Sequence, residues 1–469
     1  MTATFPDTYS LADNHHTLVN FFDMPMAQRQ EMMLNAIFEA HKWHYSRNRA
    51  YRLAVEAKGI GESIGESELV RLLRPTAHVF KSYIDLLETP FPENHPLDFL
   101  KWLAGNLSTE IPDDRLLKFK SHYSSLEAFL RAIEHNFADL GFVIGTSSGT
   151  SGKSTIMVRD ANGVELAIEA YKLAVYRLWG TKDAHEIIFI MPEQTRIVMA
   201  WLARLATERL GMGPQAHFAI PYPASPDHVR IRSGQLFKPG LRGIIEQRLL
   251  FPFMRRMNDT RVKETFVSRT INWLEALSGT EKAVLLFGGW VQLDAVYEGL
   301  RQQGYGENDK VLAFHPESMI GTGGGMKESY PFSPAEIRER LSTVLHTYEG
   351  EPLPHRDVYG MAEANWAAAQ CEHGNYHLPP WIYAVILDED DEIIPESDAT
   401  GLLAFFDPFA GGQLFPNFFK TADRVRLVNG GKWHNPQLDC PCGYQTAYIH
   451  HNSIVRQDRL DEAGCAAQL

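Results

Sequence analysis

Cysteine is scarce, with four in 469 residues. That is too few for a disulfide framework in a chain this long, so each thiol is read as a ligand, a nucleophile or buried filler. Long apolar runs are also missing. The longest candidates are short segments such as residues 283–288, far below the roughly 20 residues that cross a bilayer. The first residues lack the basic stretch followed by an apolar one that marks a secretory leader. A cytoplasmic protein with no membrane span is therefore expected. Positive charge is in deficit: 45 Lys and Arg face 58 Asp and Glu, for a net charge of −13. This argues against a general nucleic-acid binder and points to small molecules or proteins as partners. No internal repeat or low-complexity tract is visible.

Apolar residues make up 44% of the chain and charged ones 22%, ample material for a large core. Through residues 28–38 apolar positions recur at spacings of three and four, and residues 1–140 read as a helical N-terminal region. From Phe142 onward short apolar segments (186–191, 282–287, 310–315) alternate with helical ones (167–178, 334–345). That alternation predicts an α/β core over residues 141–357, with any ligand at the strand ends. Strands at 381–387, 401–406 and 425–428, with an acidic turn at 388–391, predict a β-rich subdomain over residues 358–469 that closes in a short tail.

Gly145, Thr146, Ser147, Ser148, Gly149, Thr150, Ser151, Gly152, Lys153, Ser154 and Thr155 concentrate hydroxyls, glycines and one lysine after an apolar run ending at Ile144. Glycines let backbone N–H groups turn toward an anion, the hydroxyls add donors and Lys153 adds charge, so this loop points to ATP. It is not the common NTPase loop, which needs glycine five positions before Gly152 where Ser147 stands. A second glycine cluster, Gly321 with Gly323, Gly324 and Gly325 ahead of Met326 and Lys327, permits close backbone approach. Cys371, His377, Cys440 and Cys442 supply three thiols and an imidazole, the donor set of a closed zinc site, with His373 as an alternative fourth ligand. The other reading of these cysteines is thiols packed as apolar groups.

The order Ser-Ser-Gly-Thr-Ser-Gly-Lys-Ser at 147–154 resembles the phosphate loop of the adenylate-forming superfamily. Tyr359-Gly360-Met361-Ala362-Glu363 resembles its Tyr-Gly-x-Thr-Glu motif, with Ala362 in place of threonine. Thr421-Ala422-Asp423 resembles its Thr-Gly-Asp motif, with Ala422 in place of glycine. More narrowly, the chain resembles the LuxE-type acyl-protein synthetases of bacterial bioluminescence and, next, the phenylacetate-CoA ligases. That likeness rests on Asn48-Arg49-Ala50-Tyr51, Val79-Phe80-Lys81-Ser82, the loop at 323–327, the stretch from Cys371 to Pro380 and Cys440-Pro441-Cys442-Gly443. Tyr444 stands where that family usually has arginine, and residues 216–262 have no counterpart in it.

The resemblance implies an adenylate-forming α/β core with a helical N-terminal region and a terminal β-rich subdomain. It implies ATP-dependent activation of a carboxylic acid as acyl-AMP, release of pyrophosphate, and transfer of the acyl group to a thiol. By the same resemblance Lys153 and the loop residues Thr146, Ser147, Ser148, Gly149, Thr150, Ser151, Gly152 and Ser154 hold phosphate. Gly323, Gly324 and Gly325 pack against adenine and the acyl pocket, Tyr359 and Gly360 contact AMP, Glu363 holds Mg²⁺, and Asp423 accepts from both ribose hydroxyls. Cys465, near the C-terminus, is either the acyl acceptor or an inert tail cysteine. The implied acid is fatty by the first likeness and aromatic by the second, and the implied onward partners are an acyl-accepting reductase, a carrier protein, an amine or CoA. Ala362, Ala422 and the absence of room after Asp458 for the superfamily's lid domain motivate a rival reading, a nucleotide-binding protein without catalysis.

Overall fold

The computed structural model of the chain describes residues 21–147, 155–182, 185–209, 213–233, 240–324, 330–408, 414 and 416–456. In chain order its strands are β1 (Arg74–Pro75), β2 (Val143–Thr146), β3 (Ile156–Arg159), β4 (Glu186–Pro192), β5 (Ala216–Ile220) and β6 (Val284–Gly288). Next come β7 (Leu312–Phe314), β8 (Met319–Gly323), β9 (Leu345–Thr347), β10 (His355–Gly360), β11 (Ala367–Gln370) and β12 (Tyr376–His377). The last are β13 (Tyr383–Leu387), β14 (Asp398–Asp407), β15 (Asn417–Val428), β16 (Tyr448–Ile449) and β17 (Val455–Arg456). No helix among the described residues is long and apolar enough to cross a membrane. The described residues form two compact units: the first from 21–145, 155–174 and 361–456, the second from 146–147 and 175–360.

The second unit is built on parallel strands in the order β10-β8-β6-β4-β5. β4 reads Glu-Ile-Ile-Phe-Ile-Met-Pro and is buried along its whole length, as a parallel strand covered on both faces must be. Helices Phe251–Leu277, Trp290–Gln302 and Pro334–Ser342 connect the strands. Leu293, Val296 and Ile337 from these helices share one apolar core with Ile188 and Leu286 of the sheet. The last helix starts on a capping box: Ser333 Oγ accepts from the Glu336 amide, and Glu336 Oε2 accepts from the Ser333 amide at 2.7 Å. The helix expected over 334–345 stops at Ser342, because Leu345 opens β9, which pairs in parallel with β7 at Leu312.

In the first unit β13, β14 and β15 form an antiparallel meander, with β15, β16, β12 and β11 continuing it. β15 is twelve residues long and its side chains alternate between buried and partly exposed over much of its length. Thr421, Ala422 and Asp423 therefore sit in mid-strand. Helices Met26–Arg47, Arg49–Glu56, Pro96–Asn106 and Leu126–Asn136 make the N-terminal region helical as expected. Aromatics from this region meet the meander: Tyr51 against Phe418 at 6.4 Å and Phe80 against Phe419 at 5.4 Å between ring centroids. Trp366 stands edge-on to Phe405 at 5.0 Å.

Candidate functional site

In the second unit β4, β6, β8 and β10 end at Pro192, Gly288, Gly323 and Gly360, at the carboxyl edge where open α/β sheets hold ligands. Gly288 is in register with Thr322, and Val358 with Gly323. The glycines of β8 have a packing role. A Cβ on Gly321 would lie 2.6 Å from the Phe287 ring, and one on Gly323 would lie 3.1 Å from the Met199 sulfur. Gly324 has φ of +86°, the left-handed region, and turns the chain off the strand. β10 runs two residues beyond Val358, so Tyr359, which is buried, and Gly360 form the end of the strand itself. Between these strands Thr322 Oγ1 donates to Asp357 Oδ1 at 2.6 Å. Thr146 is buried and its amide donates to the Arg196 carbonyl at 2.7 Å, with Ser147 following it.

In the first unit Thr155, fully buried, donates its hydroxyl to Glu363 Oε1 at 3.0 Å. Glu363 lies in the turn after β10, and the backbone on both sides of it is held by one side chain. Arg159, at the end of β3, is buried and donates from Nη2 to the carbonyls of Ala362 at 2.9 Å and Ala364 at 3.3 Å. Its Nε donates to Asn365 Oδ1 at 2.5 Å. The planar guanidinium is suited to this, because its donors keep a fixed fork geometry. Asp423 is buried on β15; its amide donates to Thr421 Oγ1 at 3.1 Å, and it is in register with Arg456 of β17.

The same unit brings Cys371, His377, Cys440 and Cys442 together, their four ligand atoms all within 4.8 Å of one another. Cys371 follows β11, His377 ends β12, and the other two lie on a turn in which the Gly443 amide donates to the Cys440 carbonyl at 3.0 Å. Cys371 Sγ and Cys440 Sγ are 3.8 Å apart, and Cys442 Sγ lies 3.2 Å from His377 Nε2. Zn–S bonds of about 2.3 Å at tetrahedral angles put two sulfurs about 3.8 Å apart, so the cluster has the dimensions of a zinc site. His377 Nδ1 is engaged by Thr446 Oγ1 at 2.9 Å, which fixes the ring and leaves Nε2 toward the thiols. Burial lowers the His377 pKa to about 4, keeping the imidazole neutral as a ligand must be, and burial pushes the thiols of Cys371 and Cys442 up. His373 is outside the cluster, beside Glu372.

Ser148, Gly149, Thr150, Ser151, Gly152, Lys153, Ser154, Gly325 and Cys465 lie outside the described residues. Thr155, Arg159 and Asn365 are the residues that sequence reasoning did not single out as site residues. Thr155 closes the hydroxyl-rich loop, a signal that was present; Arg159 and Asn365 carry no motif. A cavity of about 340 Å³ opens at the other edge of the second unit's sheet, lined by Ile320, Arg338, Leu341, Leu345, Leu353 and His355. His355 stacks on Trp290 at 4.6 Å, and neither of its ring nitrogens has a hydrogen-bond partner among the described residues.

No protein-family model matches the sequence, and no curated protein matches it. Solved structures do. A 2-hydroxyisobutyryl-CoA ligase in an open conformation, in complex with 2-HIB-AMP and CoA, matches with a TM-score of 0.54 at 14% identity over 92% of this chain and 70% of the ligase. The same ligase in its thioesterification state matches with a TM-score of 0.54 at 16% identity over 93% and 69%. The chain has the adenylate-forming ligase fold. Identity this low speaks for the fold alone, a mixed α/β architecture as the sequence predicts.

Proposed function

We propose that the chain activates a carboxylic acid with ATP, forming acyl-AMP and releasing pyrophosphate, and then passes the acyl group to a thiol. The observation that carries this reading is the hydrogen bond from Thr155 to Glu363. It joins the end of the hydroxyl-rich loop to the acidic end of the Tyr-Gly-Met-Ala-Glu segment, 208 residues further along. The adenylate-forming fold and the glycine-rich strand ends of the second unit support it further. A substrate carboxylate oxygen attacks the α-phosphorus, and the bond to the bridging oxygen breaks so that pyrophosphate leaves with its electron pair. Mg²⁺, when bound, neutralises phosphate charge. Glu363 is the carboxylate we assign to it, Lys153 and the loop hydroxyls steady the phosphates, Asp423 receives the ribose hydroxyls, and Gly323 to Gly325 with Tyr359 and Gly360 line the adenine and acyl side. Most of the acceleration then comes from positioning and charge.

Cys465 is the acceptor by likeness to the LuxE-type synthetases, which also favours a fatty acid. CoA is the second reading, favoured by a fold neighbour that carries 2-HIB-AMP together with CoA. We assign zinc to Cys371, His377, Cys440 and Cys442 in a structural role, since protein groups fill all four positions.

The test is acid-dependent exchange of labelled pyrophosphate into ATP across a panel of fatty and aromatic acids. Exchange with one acid class, lost in Glu363→Ala, is the expected result; nucleotide binding with no exchange for any acid would refute adenylation. With the active acid, Cys465→Ser should abolish a labelled acyl-enzyme while sparing exchange. Acyl-CoA formation that survives this substitution would assign the transfer to CoA.

A further inference from the structure

Residues 216–262 carry a surface that the proposed chemistry does not use. Helix Leu241–Ile245 runs into a π-turn at Glu246–Leu250 and then into helix Phe251–Leu277. Five large apolar side chains project from its first ten residues: Leu241 is 81% exposed, Leu249 68%, Ile244 and Ile245 50% each, and Leu250 46%. They are five of the twelve large apolar side chains exposed among the described residues, so they form a cluster and not a random scatter. Leu241, Ile244, Ile245 and Leu249 follow helical spacing along one face. The i-to-i+5 spacing of the π-turn brings Leu250 under Ile245, widening that face.

The charge of this segment opposes that of the whole chain. Residues 241–263 contain six Arg and Lys (Arg242, Arg248, Arg255, Arg256, Arg261 and Lys263) against two acids, Glu246 and Asp259, in a protein of net charge −13. Arg242 pairs with Glu246 at 3.1 Å, and Arg248 has no ion-pair partner among the described residues. An exposed apolar face that carries the exposed Arg248, with the exposed Arg242 beside it, is the pattern of a segment that lies in a bilayer interface, its apolar side among acyl chains and its guanidinium groups reaching to headgroup phosphates. A second copy of the chain fits poorly, because a two-fold interface sets this basic face against itself. We propose that residues 241–263 dock the protein on an anionic lipid surface.

Flotation of the full chain with vesicles tests this, comparing equal parts phosphatidylglycerol and phosphatidylcholine with phosphatidylcholine alone, at low and high salt. Association with the anionic vesicles is expected, weakening with salt. Arg248→Glu and the double variant Ile244→Asp with Leu249→Asp should each lower the partition coefficient by about tenfold or more. All of these positions are exposed, so thermal midpoints should match that of the parent. Failure to float with anionic vesicles, or equal flotation of the double variant, overturns the proposal. Concentration-dependent association of the free protein that the double variant abolishes, without vesicle binding, assigns the face to self-association instead.

Discussion

Glu363 is held by two residues, one that closes the hydroxyl-rich loop and one that no motif marks. Thr155 holds its carboxylate and Arg159 clasps the carbonyls on either side of it. Thr155→Val keeps the shape and removes the donor. Losing one hydrogen bond to a charged group costs about 1.5–3 kcal/mol. Pyrophosphate exchange should therefore slow by roughly tenfold or more, and the Mg²⁺ concentration for half-maximal rate should rise, which a metal titration of the exchange rate reads directly. Arg159→Lys should fail to restore what Arg159→Met removes. An ammonium carries the charge but not the fork that reaches Asn365 and two carbonyls at once. Retention of full activity by the Lys variant would show that charge alone suffices there.

Zinc coordination would tie elements together, since its four donors come from the end of β11, from β12 and from the turn before β16. Purified protein should carry about one zinc per chain by elemental analysis. Cys440→Ser should lose it and lower the thermal midpoint by about 5 °C or more. A metal-free parent of equal stability would return the cysteines to simple packing. The elements themselves were unevenly legible. β4 and β6 stand out as β-branched and leucine-rich runs, and they form at Glu186–Pro192 and Val284–Gly288 where residues 186–191 and 282–287 announce them. β15 was visible only at its last four residues. Lys420, Thr421, Asp423 and Arg424 interrupt its apolar positions, and polar clusters of this kind read as turns until a partner strand is known. The Arg159 clasp was illegible for another reason: its acceptors lie over 200 residues away, beyond any local pattern.

For the molecule as a whole, stability against acid should carry the signature of His355. Burial, then the nearby Arg338 and Arg356, lowers its pKa to about 3 from the ordinary 6.5. Below pH 6.5 the unfolded chain takes up a proton here that the folded protein refuses, so stability present above that pH drains away as the pH falls toward 3, by up to about 4 kcal/mol. His355→Phe, which keeps a ring against Trp290, should flatten that part of the profile in urea melts between pH 4 and 7; an unchanged slope would contradict it. Chain order imposes a different constraint. The second unit is nearly continuous in sequence, from residue 175 to 360, whereas the first is assembled from three separate stretches. β1 at Arg74 pairs with β15 at Phe419, and Arg29 near the start donates to the carbonyl of Gln445. During synthesis the helices of the first hundred residues therefore emerge with their aromatic faces uncovered. They must wait while the ribosome makes some 300 more residues before the strands that cover them exist, an interval in which a chaperone, not the protein's own sheet, is the natural shelter for those faces.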